Sequence, residues 1–305
     1  MSVSARRIWL DGRLVPWQQA TVHVLGQSLQ RGSLVFDVMP VHTTPDGIRV
    51  FGLREHVERF LASAKLNEME LRPGLDELLA AIRDTVHANP GCECVKLSAY
   101  WPGVSLELLP ADASPSVAIA AFAPSDLGGK PGADPAAPAR LMLAEPIKMP
   151  PEHLSPQLKI AAGYTASASA KLRAVRSGFD DILLLDGLGE VAESSTQSFF
   201  LVERGEIHTA PLRYVLAGVT RRCLLELIAA EGIACKEDRV PRERLQSADE
   251  AFLCGTTIGV RGVSLIDERE FRAPGPITQR LVQRFTRVVA GQDPEFSMRW
   301  MQALS

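Results

Sequence analysis

The sequence lacks the features that would place it in a membrane, outside the cell or on nucleic acid. No stretch approaches the roughly 18 uninterrupted apolar residues of a membrane-spanning helix. The first residues, MSVSARRIWLDG, carry two arginines but no apolar segment of signal-peptide length. The formal net charge of -3, with lysines and arginines spread along the chain, supplies no dense basic surface. We therefore expect a cytoplasmic protein with neither nucleic-acid nor membrane partners.

Common catalytic and metal-binding motifs are also missing. The five cysteines are an odd number without metal-ligand spacing, so we expect buried thiols and no metal. They are Cys92, Cys94, Cys223, Cys235 and Cys254. There is no P-loop, no G-x-G-x-x-G after a strand, no H-E-x-x-H and no G-x-S-x-G. Small anionic ligands stay open, because one well-placed arginine suffices to bind them.

The chain has the size and composition of a two-domain globular protein. It has 305 residues, of which 46% are hydrophobic and 23% charged. The segment Pro124 to Pro138, PSDLGGKPGADPAAP, is rich in Pro, Gly and Ala and has no hydrophobic period, which is typical of a linker. The pattern predicts a small domain over 1–124, a linker over 125–138 and a large domain over 139–305.

The small domain has the pattern of an α+β fold. Apolar residues recur at helical spacing in 54–71 and 75–88, which predicts two helices. Short apolar runs at 8–10, 95–101 and 116–122 predict strands, the first followed by an Asp11-Gly12 turn. In the large domain we predict strands at 141–144, 181–186, 199–203, 206–209 and 251–254. A helix is predicted after Gly218, with Gly232 as its stop.

Five groups of segments, spread over nearly the whole chain, go further than periodicity. They are IWLDGRLV, VHVLGQSLQRGSLVFDV and VFGLREHVERFLASAK; LKIAAGYTASASAKLRAVRSGFDDILLLD; GLGEVAESSTQSFFLVERGEIHTAP; LAGVTRRCLLELI; and AFLCGTTIGVRGV. Together they resemble the fold-type IV aminotransferases, which include the branched-chain and D-amino-acid enzymes and use pyridoxal 5'-phosphate. The resemblance implies a small N-terminal α/β sandwich domain and a larger domain built on a β-barrel-like sheet with helices.

The resemblance also implies where the cofactor is held. Lys159 matches the lysine that forms a Schiff base with pyridoxal phosphate, with Lys171 in the following helix as its competitor. Arg59 matches the arginine that binds the phosphate, to which a guanidinium offers a planar fork of donors. Tyr164 matches the tyrosine that donates to the phenolate oxygen of the cofactor. Glu193 matches the glutamate that keeps the pyridine nitrogen protonated, and so strengthens the cofactor as an electron sink.

The remaining implied contacts lie at a helix start, a turn and an apolar pocket. Val219 and Thr220 match the positive end of the family's phosphate-binding helix, where backbone N–H groups meet an anion. Thr256 matches a further phosphate contact and Thr257 lines the substrate side. Phe36, with Trp101, is a candidate for the apolar substrate pocket.

Several positions depart from the branched-chain enzymes. These enzymes have tyrosine at the position of Arg31 and arginine at that of Pro40, and a tyrosine and an arginine near Val95 and Leu97. Because these family residues orient the substrate carboxylates, their absence leaves the substrate open. Candidate replacements are Lys96 and Arg261, although strand alternation places Lys96 on the face opposite to its neighbours.

The resemblance predicts a transaminase for a branched-chain or other aliphatic amino acid and a 2-oxo acid such as 2-oxoglutarate or pyruvate. Alternatives on the same scaffold are a lyase of the aminodeoxychorismate type and a transaminase of amines or D-amino acids. A non-catalytic descendant that binds a ligand or partner is a third hypothesis, against which the joint retention of Lys159, Tyr164 and Glu193 argues. Family members are dimers, so the resemblance also implies a homodimer.

Overall fold

The computed structural model describes residues 3–44, 46–109, 114–128, 137–144 and 148–304. Its strands are β1 Arg7–Leu10, β2 Arg13–Pro16, β3 Val35–Thr44, β4 Gly47–Phe51, β5 Cys94–Tyr100, β6 Ser116–Phe122, β7 Ala139–Leu143, β8 Asp181–Leu185, β9 Val191–Ser194, β10 Ser198–Glu203, β11 Glu206–Thr209, β12 Cys235–Glu237, β13 Glu250–Gly255, β14 Gly259–Ile266, β15 Arg269–Glu270 and β16 Met301–Ala303. Its helices are α1 Gln27–Arg31, α2 Leu53–Leu66, α3 Leu75–His87, α4 Thr165–Arg176, α5 Val219–Ala230, α6 Arg244–Ser247, α7 Pro276–Val289 and α8 Pro294–Trp300. The predicted α+β class is confirmed.

The chain divides into two units whose bounds differ from a single cut near residue 130. The first unit contains residues 1–131, 158–162 and 294–305, and the second contains 132–157 and 163–293. Residues 158–162 join the first unit because Ile160 bridges to Val35 on β3. The C-terminal residues join it because β16 pairs with β4, while the Trp300 ring stacks on Phe51 with 5.6 Å between centroids. Of the predicted linker, residues 129–136 lie outside the described residues.

The first unit is a seven-stranded antiparallel sheet covered by helices. The strand order is β16-β4-β3-β5-β6-β1-β2. Burial alternates strictly along β5 and β6, so that one face of the sheet belongs to the core. The helix α2 packs against β3 and α3 against β6, with Val57, Phe60 and Ile82 fully buried. The result is the expected α/β sandwich.

The helix α2 ends at Leu66, five residues before the predicted end at Leu71. The Asn67 N–H caps the carbonyl oxygens of Ser63 and Ala64 at 3.1 Å, and Glu68 then turns left-handed with φ 54°. The hydrophobic pattern continues beyond this point because Met69 folds back into the core. The buried Met69 therefore extended the apolar pattern past the true end of the helix, and the predicted helix was too long.

The second unit is built on a closed barrel. Its nine strands include a ring of six, in which β10, β13, β14, β7, β8 and β9 pair in turn and β9 pairs again with β10. The strand β7 runs parallel to both neighbours, and the other pairs of the ring are antiparallel. The barrel interior is apolar, with residues such as Leu183, Phe199 and Val263 in one buried cluster. The expected barrel-like sheet is confirmed.

The helix predicted after Gly218 is α5, and its apolar face is buried as the spacing requires. Cys223, Leu224, Leu227 and Ile228 are each at most 1% exposed. Among the described residues, no helix is both long and apolar enough to cross a membrane.

Candidate active site

In the first unit, the backbone of Lys159 is fixed to a strand and a helix. The Phe36 N–H donates to the Lys159 carbonyl oxygen at 3.1 Å, and the Lys159 N–H donates to Ser63 Oγ at 3.1 Å. The Lys159 Nζ lies 4.9 Å from the centroid of the Phe36 ring. A half-buried amine held beside an aromatic face is a candidate nucleophile.

Lys171, the competitor, lies on α4 in the second unit and has an acidic partner. Its Nζ lies 2.9 Å from an oxygen of the buried Asp181 carboxylate and 3.3 Å from Ser195 Oγ. An amine that is held by a carboxylate and a hydroxyl is not available to attack a carbonyl carbon. The two lysines therefore differ in their local chemistry, and Lys159 is the better candidate.

Arg59 on α2 belongs to a buried group with Asp37 of β3 and His56 of α2, which we call the Asp37 cluster. Asp37 is fully buried and accepts hydrogen bonds at 2.8 Å from Arg59 Nε and from Arg59 Nη2. His56 Nδ1 lies 2.8 Å from Asp37 Oδ1. This fork-on-fork pairing holds the guanidinium plane in one orientation.

The Asp37 cluster contains a charged aspartate and an uncharged histidine. Burial alone would raise the pKa of Asp37, but the charges and hydrogen bonds of Arg59 and His56 outweigh it and hold that pKa far below its usual value. Burial lowers the pKa of His56, although the Asp37 charge acts in the opposite direction. Asp37 has no motif of its own in the sequence. The signal that could have found it is His56 and Arg59, one helical turn apart and both facing the sheet.

Lys96 lies on the face of the sheet that carries Phe36. In the pairing of β3 with β5, Lys96 is opposite Val38 and Ser98 is opposite Phe36, so these side chains share one face. The Lys96 Nζ is 5.1 Å from the Phe36 ring centroid. Burial, and then the charge of Lys159, lower the pKa of Lys96. Among the described residues, Lys96 has no ion pair and no side-chain hydrogen bond.

The resemblance to the branched-chain enzymes places their substrate-orienting tyrosine and arginine near Val95 and Leu97. In this chain the Val95 and Leu97 side chains are both fully buried in the core. The expected alternation is present, and it turns Lys96 toward Lys159 while turning Val95 and Leu97 away. The other candidate cation, Arg261, is buried in the second unit. It donates to the Ala137 carbonyl oxygen at 2.7 Å and pairs with Asp180 at 3.2 Å. Arg261 is a structural residue.

Trp101 follows β5 and is half-buried in the first unit. Its backbone N–H donates to Ser28 Oγ at 2.9 Å. The indole Nε1 is buried without a hydrogen-bond partner among the residues that the structure describes. A buried indole N–H of this kind can donate a hydrogen bond to a polar group of a bound ligand.

In the second unit, Tyr164 lies half-buried at the N-cap of α4. Glu193 lies on β9, opposite Ser198 of β10, where the barrel closes. Its carboxylate is in contact with the ammonium of Lys148, a residue that sequence reasoning did not single out. No local pattern in the sequence marks Lys148, because its contact with Glu193 joins residues 45 positions apart.

The start of α5 has the properties of an anion site. The N-cap residue Gly218 gives no side-chain cap, which leaves the first N–H groups, among them those of Val219 and Thr220, available to a ligand. A Cβ on Gly218 would lie 3.2 Å from Ser198 Oγ, so the backbone passes close to the barrel. Thr220 is 2% exposed, and its Oγ1 has no hydrogen-bond partner within the described ranges. A buried unpaired hydroxyl costs about 1–3 kcal/mol, which a phosphate oxygen would remove.

Thr256 and Thr257 form the turn between β13 and β14. Thr256 is half-buried and Thr257 is exposed. A Cβ on Gly255, which precedes them, would lie 3.1 Å from Gln197 Cγ, so the β13 end approaches the β9–β10 turn closely. Among the described residues, no group of acids, histidines and cysteines could hold a metal ion.

Comparison with known proteins identifies the class to which this fold and these residues belong. Residues 34–266 match the family described as amino-transferase class IV, and the chain belongs to that family. It is a pyridoxal-phosphate-dependent aminotransferase. The expectation of a class IV enzyme with this cofactor is confirmed.

The individual relatives described below are all named branched-chain aminotransferases. The branched-chain-amino-acid aminotransferase of Pseudomonas aeruginosa is 30% identical over 291 residues, or 93% of each chain. The branched-chain aminotransferase of Thermoproteus uzoniensis, solved with norvaline, has a TM-score of 0.91, is 31% identical and covers 98% of this chain and 99% of its own. The branched-chain amino acid aminotransferase of Thermobaculum terrenum, solved in its PLP form, has a TM-score of 0.90 at 26% identity and covers 100% of each chain.

Proposed function

We propose that this enzyme transfers the amino group of a branched-chain or other aliphatic amino acid to a 2-oxo acid such as 2-oxoglutarate or pyruvate. The observation that carries the proposal is the placement of Lys159, whose backbone is fixed to β3 and α2 while its amine lies beside an aromatic ring. The names of the relatives support the substrate class. An apolar side chain suits the aromatic face of Phe36.

The residues of each unit fit pyridoxal phosphate. In the first unit, Lys159 would hold the cofactor covalently through Nζ, and Arg59 would bind its phosphate. The orphaned hydroxyl of Thr220 supports a second phosphate contact, with the N–H groups of Val219 and Thr220 as donors. Thr256, at a turn where the chain can approach a ligand closely, would add another.

Two further side chains of the second unit are proposed to bind the cofactor ring. Tyr164 Oη would donate to the phenolate oxygen. Glu193 would accept a hydrogen bond from the ring nitrogen and keep a proton there. The ammonium of Lys148 is in contact with this carboxylate in the described residues.

Bound pyridoxal phosphate supplies an electron sink for the negative charge that develops at the substrate Cα. The protein provides the proton movements and the orientation. With substrate bound, Lys159 Nζ would accept the proton from the substrate Cα as a general base. The fixed backbone of Lys159 confines this amine to one region, which makes the transfer effectively intramolecular.

Substrate contacts are proposed from the residues around Phe36. Phe36 and Trp101 would line the apolar side of the pocket, and Thr257 would lie on the substrate side of its turn. Lys96 is proposed as a carboxylate ligand, because its ammonium lies on the Phe36 face without an acidic partner among the described residues. Loss of this contact in Lys96→Met should raise the KM for a 2-oxo acid more than it lowers kcat.

The experiment that tests the proposal compares Lys159→Ala with Lys171→Ala. Lys159→Ala is expected to lose both the yellow colour of the bound cofactor and turnover, whereas Lys171→Ala keeps both. A fully active Lys159→Ala enzyme would contradict the proposal. A screen of L-amino acids, D-amino acids and primary amines then identifies the donor. Release of pyruvate without an amino acceptor would indicate the lyase reaction instead.

We also propose that the enzyme is a homodimer in the cytoplasm, without nucleic-acid or membrane partners. The dispersed charges and the net charge of -3 support the last point. Light scattering after gel filtration tests the dimer, and a mass near the chain's own 33.2 kDa would contradict it.

A further inference from the structure

The backbone of Lys159 is held from two sides in the first unit. Its N–H donates to Ser63 Oγ of α2 at 3.1 Å, and its carbonyl oxygen accepts the N–H of Phe36 on β3 at 3.1 Å. Ser63 is fully buried, so its hydroxyl oxygen accepts this bond away from solvent. Because a buried backbone N–H that loses its acceptor is costly, the Ser63 hydroxyl restrains the Lys159 backbone on the side of α2.

The same two elements also hold the guanidinium of Arg59. Arg59 precedes Ser63 by one helical turn on α2, so the two side chains occupy neighbouring positions on one helix face. The Asp37 carboxylate, which accepts two hydrogen bonds from Arg59 at 2.8 Å, belongs to the residue after Phe36 on β3. These contacts close into a ring of two hydrogen-bonded sides and two sides of continuous chain, which we call the α2–β3 ring. Its members, in order, are Asp37, Arg59, Ser63, Lys159 and Phe36.

We propose that Ser63 is a positioning residue for the covalent binding of the cofactor, because its hydroxyl sets the place of Lys159 relative to Arg59. The inference rests on the proposed function, in which Arg59 binds the cofactor phosphate and the Lys159 amine joins the aldehyde carbon with release of one water. A rigid molecule meets both groups at once only when their separation is fixed. Within the α2–β3 ring, the helical turn between Arg59 and Ser63 fixes that separation.

The first experiment measures hydrogen exchange of the Lys159 backbone N–H in the full-length, cofactor-free protein by mass spectrometry of overlapping peptides. We expect Ser63→Ala to speed this exchange about ten- to a hundredfold, because the variant removes the acceptor. Ser63→Cys keeps a side chain of similar size but offers only a weak sulfur acceptor, so it should act in the same direction. The rates are compared with those of buried amides of α3, which report opening of the whole unit.

The second experiment compares the binding of pyridoxal phosphate with that of pyridoxal, which has no phosphate, through the yellow colour that each gives. In Ser63→Ala, we expect pyridoxal phosphate to lose about three- to tenfold more affinity than pyridoxal, because Arg59 holds its phosphate while the Lys159 amine is displaced. Pyridoxal has no such anchor and can follow the amine. A general loss of stability would weaken the binding of both molecules to the same extent, so the difference between them reports position.

The matched control for both experiments is Thr85→Val. It removes a fully buried hydroxyl of α3, which donates to the Ala81 carbonyl oxygen at 2.6 Å, and should change neither result. The proposal is overturned if the Lys159 N–H exchanges at the parent rate in both Ser63 variants, or if pyridoxal phosphate and pyridoxal lose affinity equally. Failure of the proposed function has a different signature, since Lys159→Ala would then retain the yellow colour. The exchange rate reads the bond between Ser63 and Lys159 in either case.

Discussion

Replacement of Asp37 by asparagine tests the Asp37 cluster directly. The change keeps the shape of the side chain but removes its charge from a fully buried site. Arg59, whose side chain is 11% exposed, then loses its acidic partner, as does His56. Breaking a buried pair by removing one partner costs about 3–5 kcal/mol. We expect a loss of this size in the free energy of unfolding.

Urea denaturation of the cofactor-free protein measures the loss, with Asp84→Asn as the control. Asp84 is 61% exposed and lies 3.7 Å from Arg83, so its replacement should cost less than about 1 kcal/mol. Because the cluster orients Arg59, Asp37→Asn should also weaken the binding of pyridoxal phosphate more than that of pyridoxal, which has no phosphate. A loss no larger than that of Asp84→Asn would refute the reasoning.

The pH dependence of the same measurement gives an independent check. The pKa of Asp37 is held below its ordinary value of 3.8 in the folded protein. Its contribution to stability is therefore complete above about pH 4 and is lost as the pH falls toward the lowered folded value. The difference between the parent protein and Asp37→Asn should narrow only in that acidic range. A difference that disappeared near pH 6 would mean that another group is responsible.

Three further changes test separate parts of the structure. Thr220→Val should weaken cofactor binding about five- to tenfold in a fluorescence titration, while urea denaturation of the cofactor-free protein shows no loss of stability, because the hydroxyl that it removes has no partner among the described residues. Trp300→Ala should cost about 3–5 kcal/mol in urea denaturation, because a fully buried ring stacked on Phe51 is lost. Glu250→Gln should cost about 1–2 kcal/mol by the same assay, because the buried Glu250 carboxylate accepts the backbone N–H groups of Ile277 and Thr278 at the start of α7.

Elements with a strong local pattern could be predicted from the sequence. The strand β6 begins and ends where the apolar run predicts, at Ser116 and Phe122, and β11 matches its predicted bounds. The helix α5 begins directly after Gly218, as expected. In each case the hydrophobic period and the residues that stop it lie within a few positions of each other. The information is local, so a single sequence is enough.

Features that depend on distant residues could not be predicted in this way. The pairing of Met301 with Phe51 joins residues 250 positions apart, and no local pattern near the C-terminus predicts it. The face on which Lys96 lies depends on how β5 pairs with β3, which alternation alone does not determine. The site residues came from resemblance to a family, whereas Asp37 and Lys148 became visible only through their contacts.

The barrel of the second unit closes where β9 turns into β10, at the pair of Glu193 with Ser198. Glu193, whose carboxylate is proposed to bind the cofactor ring nitrogen, therefore lies in the seam of the barrel, by which we mean the β9–β10 pairing that closes it. A substitution that loosens the seam, even one remote from any ligand, would move this carboxylate and reduce turnover while most of the fold stayed intact. Variants selected for a tighter or looser barrel are therefore expected to change catalytic rate before they change stability.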